Sequence, residues 1–311
     1  SQEQDTSGAP GLPYSFKFDC TTADTSLAAS DFLGIQQKIE GQNVQDFLKG
    51  TSSAKKFTLS FYVKTNKSGV YTVELRDNNN SRQCSKTFTV SDGNWNRYTV
   101  SFPADTTGAF NNNNNDSLQV NWWLIAGSTY TGGTLNTSGW ASQTNANRVS
   151  SSNVNIGDST SNNFELTGVQ LEVDHTGSGV ATDFEHRSYS QELELCKRYY
   201  QQIGIDSYGN TSIPLSIPFI NEHPSNTSGY INFRFHPEMR ATPTATIGSS
   251  LELGQPQVDR SSYVVSSFNL NSTGANYFQF SGGQLGSTGD SNRYIRVGHD
   301  ANAFAKFSAE L

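Results

Sequence analysis

Apolar and polar residues alternate over short runs along most of this chain, and clusters of Gly, Asn, Asp and Ser separate the runs. A period of two between turn residues is the signature of half-buried β-strands. It predicts strands over residues 14–19, 33–39, 56–65, 69–77, 86–90, 96–102, 117–126 and 164–173, with a helical turn between Ile39 and Lys49 carried by Val44, Phe47 and Leu48. In the last of these strands, Phe164, Leu166, Val169, Leu171 and Val173 share an inner face only if the register slips near Gly168, which predicts a β-bulge there. Roughly eight strands in two packed antiparallel sheets make a jelly roll the natural architecture. Residues 127–163 are too many for a simple connection and are expected to fold over one side of the sandwich.

The period then changes. Ser188 followed by Gln191 makes a capping box, and Leu193, Cys196, Tyr200 and Ile203 recur at helical spacing, predicting a short amphipathic helix over residues 190–203. Strand-like runs resume over 213–219, 229–235, 242–247, 262–270, 276–281, 294–298 and 303–311. The expected organisation is therefore all-β. It has an extended arm or linker at 1–13, a jelly-roll β-sandwich at 14–187, a short connecting α-helix at 188–204 and a smaller C-terminal β-sandwich at 205–311. No heptad, collagen-like or other repeat marks a long shaft.

Composition narrows the class. At 311 residues the chain exceeds what one core usually serves, so two domains are the default. Only 34% of residues are hydrophobic and 16% charged, yet 12% are aromatic and these sit in strand-like runs, unlike a disordered chain. A net charge of −7 without any dense Lys/Arg cluster argues against a nucleic-acid partner, because phosphate binding needs a basic surface. No apolar run approaches the ~18 residues of a membrane span, so no membrane insertion is expected. The first residues are polar and carry no signal-peptide pattern, and Ser1 in place of Met suggests a processed product or a fragment with an attachment region upstream. Cys20, Cys84 and Cys196 are odd in number and lack metal-like spacing, which reads as three small, partly buried free thiols.

Three segments carry a family resemblance: Gly168 to Val173 (GVQLEV), Ala181 to Glu185 (ATDFE) and Cys196 to Tyr200 (CKRYY). Together they resemble the segment that closes a carbohydrate-binding-module-like jelly roll in tail-fibre and other virion appendage proteins of tailed, especially marine, bacteriophages. The chain departs from that pattern at Asp174-His175, where the family usually has Gly, and in the added loop Gly177-Ser178-Gly179. The run from Phe16 to Lys64 looks like the opening strands of the same domain, and HPEMRATPTATIG resembles the C-terminal domains of phage fibre-type proteins, with Pro237 and Pro243 bounding a turn before an edge strand.

The resemblance implies a virion structural protein, assembled in host cytoplasm and carried on the tail or another external appendage. A tail fibre or receptor-binding subunit that adheres to host surface glycan is the leading reading. A capsid decoration or head-fibre protein and a structural tail adaptor without glycan binding are the alternatives. It also implies a homotrimer contacting other virion proteins, with Leu193, Cys196, Tyr200 and Ile203 as candidate interface residues, and a structural calcium ion, for which Asp19, Asp24 and Glu172 are the candidate ligands.

Sugar sites combine an aromatic face with planar hydrogen-bonding groups. The candidates are Trp140 and Tyr130 in the long connection, Trp122 and Trp123 in VNWWLIAG with Asn121 and the preceding Gln119 beside them, and Trp95 in DGNWNRY, which the family resemblance reads rather as a packing aromatic. Strand alternation puts Trp122 and Trp123 on opposite faces, one in the core and the other outward or under the connection. Catalysis is not expected. The acids Glu74, Asp77, Glu165 and Glu172 fall in strands or turns, the five His residues are scattered, and no hydrolase motif is present.

Overall fold

The alternating runs become strands β1 (Gln2–Asp5), β2 (Ser15–Asp19), β3 (Phe32–Glu40), β4 (Lys56–Thr65), β5 (Gly69–Asp77), β6 (Arg82–Val90), β7 (Asn96–Phe102), β8 (Asp116–Ala126), β9 (Ala141–Ser142) and β10 (Asn163–Asp174). They belong to the first of two compact units, residues 1–186 with Leu311; the second spans residues 187–310. The structure is a computed structural model describing residues 1–204, 214–215, 228–248, 251–254, 268–283, 294–297 and 304–311.

In the first unit the strands form two five-stranded sheets, ordered β1-β2-β10-β4-β7 and β3-β8-β5-β6-β9. Setting aside β1 and the two-residue β9, and counting the remaining eight in chain order, the sheets run 1-8-3-6 and 2-7-4-5, which is jelly-roll order. The period of two explains the core. Phe57, Leu59, Phe61 and Val63 on β4 are buried against Tyr71, Val73 and Leu75 on β5 and Leu118, Val120, Trp122 and Leu124 on β8. Phe61 meets Phe88 and Trp122 edge-on at 5.0 and 5.6 Å between ring centres. Burying each such side chain contributes about 1.5–3 kcal/mol.

The bulge lies where the alternation slips. β10 pairs with β4 up to Thr167↔Tyr62 and resumes at Gln170↔Ser60, so Gly168 and Val169 together oppose Phe61. Gly168 has φ 58°, a left-handed conformation that glycine adopts at least cost. Phe164 and Leu166 are buried and Leu171 and Val173 pack on the core, but Val169 is 38% exposed. That last position corrects the inward face expected from the sequence: as the extra residue of the bulge, Val169 is turned outward.

Other elements also differ from expectation. Residues 1–13 are not wholly an arm, because β1 adds to the edge of β2, with Lys17 bridging Glu3 at 3.1 Å. The helix α2 (Tyr189–Lys197) has the expected capping box of Ser188 and Gln191 but ends well before Ile203. Tyr200 and Ile203 instead lie in β11 (Tyr200–Gly204), whose ladder with β19 (Phe304–Ser308) outweighs the local helical spacing.

The remaining strands of the second unit are β12 (Pro214–Leu215), β13 (Ser228–Arg234), β14 (Thr244–Ile247), β15 (Leu251–Gly254), β16 (Phe268–Thr273), β17 (Tyr277–Gly283) and β18 (Tyr294–Val297). The described strands make three three-stranded sheets, β11-β19-β14, β12-β18-β15 and β13-β17-β16, in keeping with the smaller C-terminal β-sandwich expected from the sequence. Phe235, Phe278 and Phe307 bring two of them face to face, with the Phe278 and Phe307 rings stacked at 4.3 Å. As expected, the turn containing Pro237 and Pro243 precedes an edge strand, β14. The remainder of the runs expected over 213–219, 262–270, 294–298 and 303–311 lies outside the described residues.

Candidate functional site

Strand register sets the outer face of the β3-β8-β5 sheet. Gly34, Trp123 and Thr72 form one row across it, Gln36, Asn121 and Glu74 the next, and Lys38, Gln119 and Arg76 a third. Ile35, Trp122 and Val73, one residue out of phase, point into the core.

The long connection after β8 folds over the β5-β6 side of this face, as its length suggested. The Asn153 amide donates to the Trp123 carbonyl at 3.2 Å and accepts from the Thr72 N–H at 2.7 Å, while Ser85 Oγ donates to the Arg148 carbonyl at 2.8 Å. This cover delivers Tyr130, in the one-turn helix α1 (Ser128–Thr131), and Arg148 to the sheet. The β3-β8 side stays open as a cleft of about 380 Å³. Phe32, Trp123 and Tyr130 line it with apolar surface; Gln36, Arg76, Asn121 and Arg148 line it with polar groups.

The cleft floor is tightly organised. Glu74, fully buried, accepts from Arg148 Nε and Nη2 at 2.9 Å each, from Asn121 Nδ2 at 3.2 Å and from Trp123 Nε1 at 3.2 Å. The Arg148 guanidinium also lies 4.7 Å from the Trp123 ring centre, so the indole is held at its N–H and over its face. Gln36 Nε2 donates to Asn121 Oδ1 at 2.8 Å and to Gln119 Oε1 at 3.2 Å. Arg76 donates from Nε to Gln143 Oε1 at 2.8 Å and from Nη1 to Gln119 Oε1 at 3.1 Å. Burial lowers the Arg76 pKa and the like charge of Arg148 lowers it further, with Glu74 and Asp116 opposing.

Phe32 stands at the rim, 63% exposed, with its ring 5.4 Å from Tyr130 in an edge contact and 6.2 Å from Trp123. Opposite Trp123, Gly34 leaves the floor open, and a Cβ there would lie 2.7 Å from the Trp122 carbonyl oxygen. The arrangement can receive a flat, partly apolar ligand edged with hydroxyl or other polar groups.

The structure brings four of the sequence candidates, Tyr130, Asn121, Trp122 and Trp123, to the lining of this cleft. Trp122 is 2% exposed and belongs to the core. Trp140 packs 5.6 Å from Phe57, and its indole N–H donates to the Pro103 carbonyl at 2.8 Å, so it holds the connection down away from the cleft. Phe32, Gln36, Arg76 and Arg148 line the cleft without having been singled out from the sequence, whereas Trp123 is one of the two candidate tryptophans of VNWWLIAG. Alternation had signalled one outward tryptophan in the Trp122-Trp123 pair; nothing local signals Arg148.

The calcium candidates lie apart. Asp19 pairs across the ladder with Asn163, whereas Glu172 sits nine residues further along β10, about 30 Å away at strand rise. Asp19 is bridged to Lys17 at 3.1 Å, Asp24 accepts from the Ser26 N–H, and Glu172 accepts from the Thr182 N–H and hydroxyl. These acids do not fit a shared ion, and among the described residues no group of three or more His, Cys, Asp or Glu is placed to hold one. A cage of hard oxygens does exist elsewhere. The fully buried Lys49 ammonium fills it, donating to Asp77, Thr107 O and Gly108 O and lying 3.0 Å from Asp105.

The acids weighed for catalysis are likewise engaged: Glu74 by Arg148, Asp77 by Lys49 and Glu165 by Lys64 at 3.0 Å. All three cysteines are free thiols, and burial pushes Cys84 up to about 12. Of the interface candidates, Leu193, Cys196 and Tyr200 are exposed, and α2 buries none of its residues. A wider, more open depression of about 510 Å³ lies beside β1 and β2, lined in part by Tyr14, Phe16 and Thr167. Gln2, Glu3 and Gln4 on the edge strand β1 supply its amide and charged groups, without the guanidinium groups that line the cleft.

No protein-family model matches the chain, and no curated protein matches it in sequence. Among solved structures it is similar to a family 16 carbohydrate binding module at 11% identity, covering 55% of this chain and 84% of that one, with a TM-score of 0.28. It is also similar to a "putative sugar binding protein" from Bacteroides thetaiotaomicron at 12% identity, covering 56% and 82%, with a TM-score of 0.29. At these scores the likeness carries no weight for function, and the site is read from its own geometry. Fold and site together define an all-β protein of two units whose jelly roll presents an aromatic and polar cleft on one sheet.

Proposed function

We propose that this protein is a glycan-binding subunit of a bacteriophage virion appendage, a tail fibre or similar receptor-binding protein, and that the β3-β8-β5 cleft holds the sugar. The observation that carries the sugar-binding reading is the cleft itself. An exposed phenylalanine beside Tyr130 and Trp123 offers the apolar surface on which the C–H face of a pyranose packs. The adjoining Gln36 and Arg76 offer planar polar groups for hydroxyls, with Gln36 held in place by the buried Asn121. The virion assignment rests on the GVQLEV, ATDFE and CKRYY segments, and homotrimer assembly on the same resemblance. A weak single site gains avidity when several copies engage one surface.

The test is binding of the purified chain to host cells and to a glycan array, before and after periodate oxidation of the sugars, with Phe32→Ala and Trp140→Ala in parallel. Binding that is lost on oxidation, weakened about tenfold or more by Phe32→Ala and kept by folded Trp140→Ala supports the reading. Absence of binding to every cell and glycan would move the protein to a purely structural virion role.

A further inference from the structure

Resting on the sugar-binding reading, we infer that the cleft selects an acidic oligosaccharide, one ring of which lies against Phe32 and Tyr130 while the carboxylate of a neighbouring sugar is gripped by Arg76. The two guanidinium groups in the cleft differ in their partners. Arg148 is neutralised by a two-point bond to buried Glu74. Arg76 is held only by amide oxygens, those of Gln143 and Gln119, and among the described residues no carboxylate pairs with it and its Nη2 has no partner. The two glutamines come from different elements, the covering connection and β8, and fix the plane of the guanidinium. What remains unused is the Nη2 side of a rigid donor fork at the wall of a cleft.

A half-buried cation without a counter-ion is unfavourable. Burial and the neighbouring Arg148 both act against its charge, and Glu74 and Asp116 offset this only in part. With Nε taken by Gln143, a ligand carboxylate can meet this group end-on, accepting from the free Nη2 and from the second Nη1 hydrogen. The net charge of −7 on the chain supplies no long-range attraction for such a ligand, so selectivity rests on this local pair. Uronic and ulosonic acid residues have the required combination of a pyranose face and a carboxylate. Sulfated sugars share the charge and can also present two oxygens to a guanidinium, so a sulfated oligomer is the competing ligand to test.

The experiment is titration calorimetry of the full chain against oligogalacturonate, oligomannuronate and oligosialic acid, the same oligomers after reduction of their carboxyls to alcohols, a sulfated dextran oligomer and neutral oligosaccharides. Arg76→Gln, Arg76→Lys and Phe32→Ala are measured alongside, each checked for folding by its thermal melt. At least one carboxylated oligomer is expected to bind, with carboxyl reduction or Arg76→Gln weakening it about 10- to 100-fold, the range of a lost charged hydrogen-bond pair. Arg76→Lys, which keeps the charge and loses the fork, should fall between. Phe32→Ala should weaken acidic and reduced forms alike. Equal binding of acidic and reduced oligomers, with Arg76→Gln unchanged, overturns the acidic preference and leaves the sugar-binding reading standing. Preference for the sulfated oligomer overturns the carboxylate assignment. Absence of binding to any acidic or neutral oligomer overturns both.

Discussion

At the scale of single residues, this jelly roll is held in part by buried charges paired with a counter-ion. Lys49 shares Asp77 and Asp105, and Arg82 grips Asp105 through Nε and Nη2 at 2.7 and 2.9 Å. Replacing Lys49 by Met leaves two buried carboxylates short of a cation and should lower stability by about 3–5 kcal/mol. The denaturant midpoint measures this, and a loss under about 1 kcal/mol would mean that water already reaches the cage. Burial alone would raise the Asp105 pKa, but hydrogen bonds from Arg82 and Lys49 outweigh it and hold the carboxyl below its ordinary value of 3.8. A depressed folded pKa stabilises above that value, so this contribution should persist from neutral pH down to about 4 and fall away as acid takes the pH through the lower folded value. Denaturant midpoints measured across that range check the sign; a decline already complete by pH 6 would assign the acid sensitivity to another group.

At the scale of elements, β10 shows how a strand can be read almost completely and α2 how a helix can be read only at one end. Local signals, a slip of alternation beside a glycine and a capping box, identified the bulge and the helix start. The helix end depended on a strand more than 100 residues later, because Tyr200 pairs with Ser308. Gly168→Val tests the bulge: its φ of 58° is costly for a branched residue, and a Cβ there would meet Leu12 Cδ1 at 2.6 Å and Tyr62 Cδ2 at 2.9 Å. A loss of about 2 kcal/mol or more in thermal stability is expected, whereas a melt like that of the parent would show that the strand can re-register.

At the scale of the whole molecule, the apolar side chains that α2 leaves uncovered bear on assembly. Tyr189 is 82% exposed and Leu195 47%, and Leu193 and Tyr200 are also exposed. If the proposed trimer forms through this surface, Leu193→Asp with Tyr200→Asp should reduce the mass in light scattering from three chains toward the single-chain 34.0 kDa. An unaltered trimeric mass would place the interface elsewhere, and a parent that is already monomeric would end the trimer proposal.

Most strands of the first unit, the jelly-roll class, the bulge and the covering role of the long connection were legible in the sequence, because strand period, turn residues and loop length are local properties. The cleft was legible only in part. Alternation fixes that Trp122 and Trp123 face opposite ways but not which is inside, since parity is chosen by the sheet that packs opposite. Trp122 went to the core because its row, with Ile35 and Val73, faces the other sheet; Trp123 became the cleft floor because its row lies under the connection. Likewise, the partnership of Glu74 with Arg148, and the lack of one for Arg76, join residues far apart in the chain through the register of β5 and the path of the covering loop. Local pattern determined the elements; only their packing decided which charges were neutralised and which one was left to meet a ligand.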